Sequence, residues 1–162
     1  MKFKFSSVVT SLFFFLTLSA CSTTPFAPLQ GGVDSAGNKI YFSGNPDEIL
    51  ASLNGYAATY DIATPEGQID YLLMRLKTAP LKLDRNNAIY TTVEADQFLR
   101  WKMKRPRWQG KAKTARDFVD VICSGSITSG KPYIALMPDG SRHNFQAIFR
   151  NELDLLEEFL DN

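Results

Sequence analysis

The run from Val8 to Leu18 is almost wholly apolar, with Phe13-Phe14-Phe15 at its centre, and it decides how much of the chain is available to fold. It is too short to cross roughly 30 Å of hydrocarbon as a helix. Lys2 and Lys4 precede it and the small residues Ser19 and Ala20 follow it. That charged, apolar, small-residue order is a secretory signal, expected over residues 1–20 and expected to be removed. Residues 21–162 then carry the fold, enough for one domain with a real core. Lys2 and Lys4 leave with the signal, so the near balance of 18 cations and 17 carboxylates becomes a slight acidic excess. Global charge therefore does not point to a polyanionic partner.

Leu18-Ser19-Ala20-Cys21 resembles the lipobox of bacterial lipoproteins, in which the cysteine sulfur is diacylglycerated and cleavage falls before it. The resemblance implies palmitate-type acylation at Cys21 and a membrane anchor. One acyl chain holds a protein only marginally, whereas two or three hold it essentially permanently. Ser22, in the position where Asp favours inner-membrane retention, implies an outer-membrane lipoprotein facing the periplasm. With Cys21 lipidated, Cys123 is left as the one free thiol. It lies in an apolar helical stretch and is expected to be a buried structural thiol, with an intermolecular disulfide as the alternative.

Residues 21–32, rich in Ser, Thr, Pro and Gly, read as a flexible lipidated tether reaching at most roughly 35 Å. Residues 33–62 form an N-terminal extension. It holds a possible strand at Lys39–Ser43 and a short helix capped by Asn45 and opened by Pro46. Asn54-Gly55 is expected to end that helix. Tyr56 to Ile62 then packs its tyrosines as a connector.

The main domain is expected over 63–162. Thr64 and Pro65 open a helix whose Ile69, Leu72, Leu73 and Leu76 share one face. Leu81 to Tyr90 reads as a hairpin or a looped extended segment around the polar turn Asp84-Arg85-Asn86-Asn87. Thr92 caps a second helix, with Ala95, Phe98, Leu99 and Met103 buried. Thr114 and Asp117 have capping-box spacing at the start of a third, striped by Ala115, Phe118, Val121 and Ile122. Pro132 to Met137 reads as a strand, closed by the turn Pro138-Asp139-Gly140. Asn144 caps a last helix lined by Phe145, Ile148, Phe149, Leu153, Leu156 and Leu160. The expected class is a helix-dominated α+β domain with a short sheet or hairpin group.

Several stretches recur in this order in the YfeK-like family of small exported bacterial proteins and lipoproteins, a domain of unknown function. They are Tyr71-Leu72-Leu73, Leu83 to Asn87, Tyr90, Ala95 to Lys102, Thr114 to Val119, and Ser124 to Tyr133. The chain resembles that family over about Thr64 to Asp139. It departs at Asn87, where the family usually has Gly, although Asn also tolerates the left-handed turn. The resemblance implies compartment and fold and supplies no activity.

Gly125 to Lys131 matches the opening of a phosphate-binding loop. That mechanism needs a strand before the loop and a helix after it, and the reverse order is expected here. Hydroxyls that satisfy free backbone groups are the better reading. His143, expected to be exposed or capping, is the single histidine, and no Gly-x-Ser-x-Gly elbow accompanies the serines. No catalytic residue, metal site or cofactor is assigned.

The sharpest anomaly is Arg100 to Arg116, where Arg100, Lys102, Lys104, Arg105, Arg107, Lys111, Lys113 and Arg116 occur with no carboxylate. Trp101, expected at the core edge, and Trp108, expected at an interface, are interleaved. In a cytosolic protein this would suggest nucleic acid, and export argues against it. A solvated helix end, an anionic lipid surface, an acidic envelope protein, or the acidic last helix would each accommodate it. The candidate interaction surface comprises Arg85, Asn86, Arg105, Arg107, Trp108, Lys111, Ser126, Thr128, Ser129 and Lys131. The expected function is a non-catalytic envelope binding module anchored through Cys21. An envelope hydrolase or hydrolase inhibitor using Ser124 to Lys131 is the alternative.

Overall fold

Capping chemistry sets where the helices begin. The computed structural model describes residues 27–162, so the leader, Cys21 and Ser22 lie outside the described residues. After strand β1 (Leu29–Gln30) comes helix α1 (Pro46–Ala57). Asn45 accepts from the Glu48 amide at 3.1 Å while Glu48 accepts from the Asn45 amide at 3.3 Å, a complete capping box. Helix α2 (Pro65–Thr78) starts where Thr64 Oγ1 accepts from the Gly67 amide at 3.2 Å. Gly67 is required there because a Cβ would lie 1.9 Å from the Asp61 carbonyl oxygen.

Strands β2 (Lys82–Arg85) and β3 (Ala88–Thr91) form the expected hairpin and lead into α3 (Thr92–Met103). The cap is Thr91 rather than Thr92: Thr91 Oγ1 accepts from the Glu94 amide at 3.2 Å. Thr92 is freed to donate to the Lys77 carbonyl at 3.1 Å, which ties α3 to the end of α2. Helix α4 (Ala115–Asp117) continues as a π-helical turn, Phe118–Ile122, closed by the Cys123 amide on the Phe118 carbonyl at 3.1 Å. The wider turn rotates Val119 inward in place of the expected Val121.

Strands β4 (Ile134–Leu136) and β5 (Arg142–Asn144) precede the last helix, α5 (Phe145–Asp161), capped by Asn144 as expected. Its apolar face is buried from Phe145 to Leu156, but Leu160, expected inside, is 37% exposed. The sheet order is β1-β5-β4-β2-β3, with β1 parallel to β5 and the other pairs antiparallel. The result is the expected single α+β domain.

Leu83, Ala135 and His143 stand opposite one another across three strands, and all are buried. His143 is therefore a core-facing residue, a correction to its expected exposure, because alternate strand residues share one face. Its Nε2 lies 3.0 Å from Ser141 Oγ, and burial lowers its pKa.

The segment before the main domain is part of the same core. Phe42 is fully buried, edge-on to Phe149 at 4.7 Å between ring centroids and tilted against Phe145 at 6.2 Å. The stretch Lys39–Ser43 makes a single bridge, Val33 with Lys39, instead of a strand. Pairing falls to Leu29 and Gln30, inside the expected tether. Asn151 of α5 donates to the carbonyls of Gly32 and Ile40 at 2.7 and 2.8 Å, which holds this segment on α5. Helix α1 runs past Asn54-Gly55 to Ala57: Asn54 donates to the Leu50 carbonyl, and Tyr56 packs edge-on against Tyr71 at 5.3 Å.

Among the described residues, one ion pair is buried. Glu152 of α5 accepts from Arg75 Nε at 3.1 Å, Arg75 Nη2 at 3.2 Å and the Phe42 amide at 2.8 Å. Arg75 Nη2 also donates to the Ser43 carbonyl at 2.6 Å. Burial opposes the Arg75 charge, yet the hydrogen bonds and charge of Glu152 outweigh it and raise the guanidinium pKa. Burial pushes the Glu152 carboxyl up, against the pull of Arg75 and the Phe42 amide.

Candidate functional site

Three segments distant in sequence meet at one cleft of about 310 Å³: the end of β2, the C-terminal part of α3 with its following loop, and the loop before β4. The hairpin tip places the first. Asn86 and Asn87 have φ of 57° and 66°, the left-handed pair that a two-residue hairpin turn requires. Asn at 87 thus keeps the turn where a Gly would be usual.

Asn86 also clamps the loop before β4. Its Nδ2 donates to Ser126 Oγ at 3.2 Å and its Oδ1 accepts from Ser129 Oγ at 2.5 Å. The loop closes on itself through the Ser126 amide on the Lys131 carbonyl, 2.9 Å, and the Gly130 amide on the Ser126 carbonyl, 2.8 Å. The Ser126 and Gly130 amides are spent on this closure and the Ser126 and Ser129 hydroxyls meet Asn86, with a π-helical turn before the loop and a strand after it. The arrangement is the reverse of a phosphate-binding loop. Gly125 makes the closure possible, with φ of 155° and the Lys131 oxygen 2.5 Å from where a Cβ would sit. Gly125→Ala is expected to cost about 1–3 kcal/mol, measured by chemical denaturation.

Lys102 is the cleft's buried centre, 3% exposed. Its Nζ donates to the Ile122 carbonyl at 2.6 Å, the Gly125 carbonyl at 2.9 Å and Tyr133 Oη at 3.3 Å. All three N–H groups are therefore engaged. The ammonium satisfies carbonyls at the end of the π-helical turn, where a cation is favoured. It lies 4.6 Å from the Trp108 ring centroid and 5.1 Å from that of Tyr133. Burial lowers its pKa to about 8, against a smaller raising effect of the Cys123 thiol. Cys123 behind it is buried, and burial pushes its thiol pKa well up.

The wall is a ladder of cations and rings. Arg85 sits over Phe98 at 4.2 Å, Phe98 stacks on Trp101 at 5.8 Å, and Arg105 lies over Trp101 at 4.0 Å. Lys111 flanks Trp108 at 5.5 Å. Stacking occupies the faces of the guanidinium groups and directs their N–H edges outward; part of the Arg85 edge meets the Tyr133 hydroxyl. Arg107, Ser126 and Thr128 complete the mouth, and no carboxylate lines the cleft.

Most of the surface expected from sequence therefore converges. Arg85, Arg105, Arg107, Trp108, Ser126 and Thr128 line the cleft. Asn86 and Ser129 brace its loop, and Lys111 borders it. Lys131 is exposed and outside the lining. Trp101, expected at the core edge, is 50% exposed, and Trp108, expected at an interface, is half-buried where it lines the cleft. The cationic run also divides. Arg100 is tied to Asp70 at 2.6 Å and Asp96 at 2.9 Å, and Arg116 to Glu157 on α5. Arg116 alone of the run pairs with the acidic last helix.

Sequence reading missed Phe98, Trp101, Lys102, Ile127 and Tyr133 as cleft residues. The spacing of Phe98, Trp101 and Lys102 at i, i+3 and i+4 puts them along one face of α3, with Arg105 in the turn just after it, a signal that was available.

His143 lies on β5 outside the lining, and the cleft's hydroxyls have no histidine or carboxylate beside them to act as a base. Among the described residues, no group of three or more His, Cys, Asp or Glu side chains could hold a metal ion, and no helix is long and apolar enough to cross a membrane. A second, more open depression of about 580 Å³ is lined by Tyr56, Tyr60, Asp70 and Arg100 among others. Its Arg100–Asp70 pair already satisfies its charge.

Fold and cleft define a small α+β domain built around one basic, ring-lined recess. The chain belongs to DUF5329, a family of unknown function, whose model matches residues 63–157 and so contains every residue of the cleft. No curated protein and no solved structure matches the chain.

Proposed function

We propose that this protein is a lipid-anchored envelope lipoprotein of the exported YfeK-like kind. In this reading Cys21 carries the anchor and the domain is a non-catalytic module that binds an anionic envelope component. The observation that carries the reading is the convergence of Arg85, Lys102, Arg105 and Arg107 on one recess without a carboxylate. Cations gathered in that way have no internal counter-charge, so an external anion completes them. The order of charged, apolar and small residues before Cys21 supports export and anchoring, and Ser22 supports an outer-membrane address facing the periplasm. A membrane-held domain also meets its partner at high effective concentration.

The test joins anchor and cleft. Cys21→Ser is expected to abolish palmitate labelling; continued labelling would refute the anchor. In native envelopes, proximity crosslinking with the Arg105→Gln, Arg107→Gln, Lys111→Gln triple variant should lose the partners recovered by the parent chain. Unchanged recovery would refute the binding surface.

A further inference from the structure

The chemistry of the recess narrows the anion, and this step rests on the binding reading above. We infer that the cleft takes a phosphate monoester carried on a compact, partly apolar body, with the phosphate held by the edges of Arg85, Arg105 and Arg107.

Charge comes first. Four cations line the cleft and no acid does. A carboxylate or a phosphodiester brings one negative charge, whereas a monoester brings close to two at neutral pH. Arg105 and Arg107 are exposed at the rim, Arg85 is half-buried and Lys102 is buried, so a dianion offsets this cluster more fully than a monoanion does.

Donor geometry points the same way. Lys102 contributes field rather than a contact, since its three N–H groups are engaged. The guanidinium groups are the contacting groups. Arg85 and Arg105 are fixed by stacking on Phe98 and Trp101, which orders their planar forks before a ligand arrives. Arg85 Nε is a buried N–H donor with no partner. Ser126 Oγ accepts from Asn86, so its own hydrogen is free to donate into the recess. Several N–H donors and a hydroxyl suit a group with three terminal oxygens better than one with two.

The body is set by size and by the rim. About 310 Å³ is at the small end of the roughly 300–1,000 Å³ of ligand pockets, room for one headgroup rather than a polymer. Trp101 and Ile127, 50% and 43% exposed, offer apolar contact at the mouth.

Both tryptophans of the chain line the cleft, so intrinsic emission reports on this site. The full-length protein in neutral detergent is titrated with phenyl phosphate, methyl phenyl phosphate, benzoate and inorganic phosphate. Phenyl phosphate is expected to bind at least about tenfold more tightly than the diester or benzoate, as charge-assisted hydrogen bonds of this kind imply. It should also outbind inorganic phosphate, which lacks a body. Its affinity should fall below pH about 6, where the monoester loses its second charge, while diester binding stays flat. No histidine or carboxylate lines the cleft to mimic that profile. Arg107→Gln should weaken phenyl phosphate about tenfold or more. Lys113→Gln, outside the lining, should leave it unchanged.

Glucose 1-phosphate and soluble dihexanoyl phosphatidic acid then separate the sources: tighter binding of the first indicates a sugar phosphate, and of the second a lipid headgroup. Equal affinity for diester or carboxylate, an Arg107→Gln variant that binds normally, or no saturable binding would overturn the inference. If monoester selectivity fails while crosslinked partners persist, only this inference falls. If it holds while partners are unaffected by the triple variant, the failure lies with the broader reading.

Discussion

Glu152→Ala is expected to cost about 3–5 kcal/mol of stability, read as a lowered urea midpoint. The carboxylate is fully buried and accepts from three donors, two on Arg75 and one from the Phe42 amide. Removing it leaves a buried guanidinium without a counter-charge and a buried amide without an acceptor. Arg75 keeps only its bond to the Ser43 carbonyl. The cost comes from these orphaned groups rather than from a large net value of the pair. A double variant, Arg75→Met with Glu152→Leu, should therefore recover much of the loss, because it removes both charges together. A double variant as unstable as Glu152→Ala would show that packing around the pair, rather than its charge, controls this site.

A fragment beginning at residue 63, where the family match starts, is expected not to fold cooperatively. Such a fragment lacks Phe42, Ile49, Leu53 and Ile62, all buried in the common core. Each such side chain contributes roughly 1.5–3 kcal/mol on burial. Their sum is comparable with the roughly 5–15 kcal/mol that holds a whole domain together. The fragment also loses the Phe42 amide and Ser43 carbonyl that complete the Arg75–Glu152 pair. Circular dichroism and a thermal scan of residues 63–162 against 27–162 would check this. A sharp transition at unchanged temperature in the shorter chain would show that the first segment is dispensable.

That result bears on what could be read from the residues alone. Helix starts were legible because caps are local: Asn45, Thr64 and Asn144 each need only the amide three residues on. The hairpin was legible because Asn86-Asn87 sits between two short apolar stretches. Strand β5 was not. Three residues, Arg142-His143-Asn144, carry too little alternation to signal a strand, and pairing with β4 and β1 defines it. The π-helical turn escaped for a related reason, since its extra residue changes which side chains face inward without altering composition.

The site followed the same divide. Arg85 stood out in a polar turn, Arg105 in a cationic run without carboxylates and Ser126 in a Gly- and hydroxyl-rich loop, yet nothing local said that they meet. Lys102 looked like one cation in a solvated run. Its burial depends on carbonyls of Ile122 and Gly125, more than a dozen residues away, and on the phenol of Tyr133. Trp101 is more exposed than expected because exposure at a helix end is set by the loop that folds back over it. Residues 104–112 bring Trp108 down onto Lys102 and leave Trp101 outside.

The parallel pairing of β1 with β5 has a consequence for behaviour in concentrated solution. A sheet ordered β1-β5-β4-β2-β3 has two rims. One is β3, short and interrupted at once by α3. The other would be β5, whose unpaired backbone groups would be open to a strand from another molecule, had Leu29 and Gln30 not taken them. Two residues of an otherwise irregular segment thus act as a guard against self-association. Chains cut after Gln30 should reveal that guard by forming oligomers as concentration rises, even where their helices stay intact.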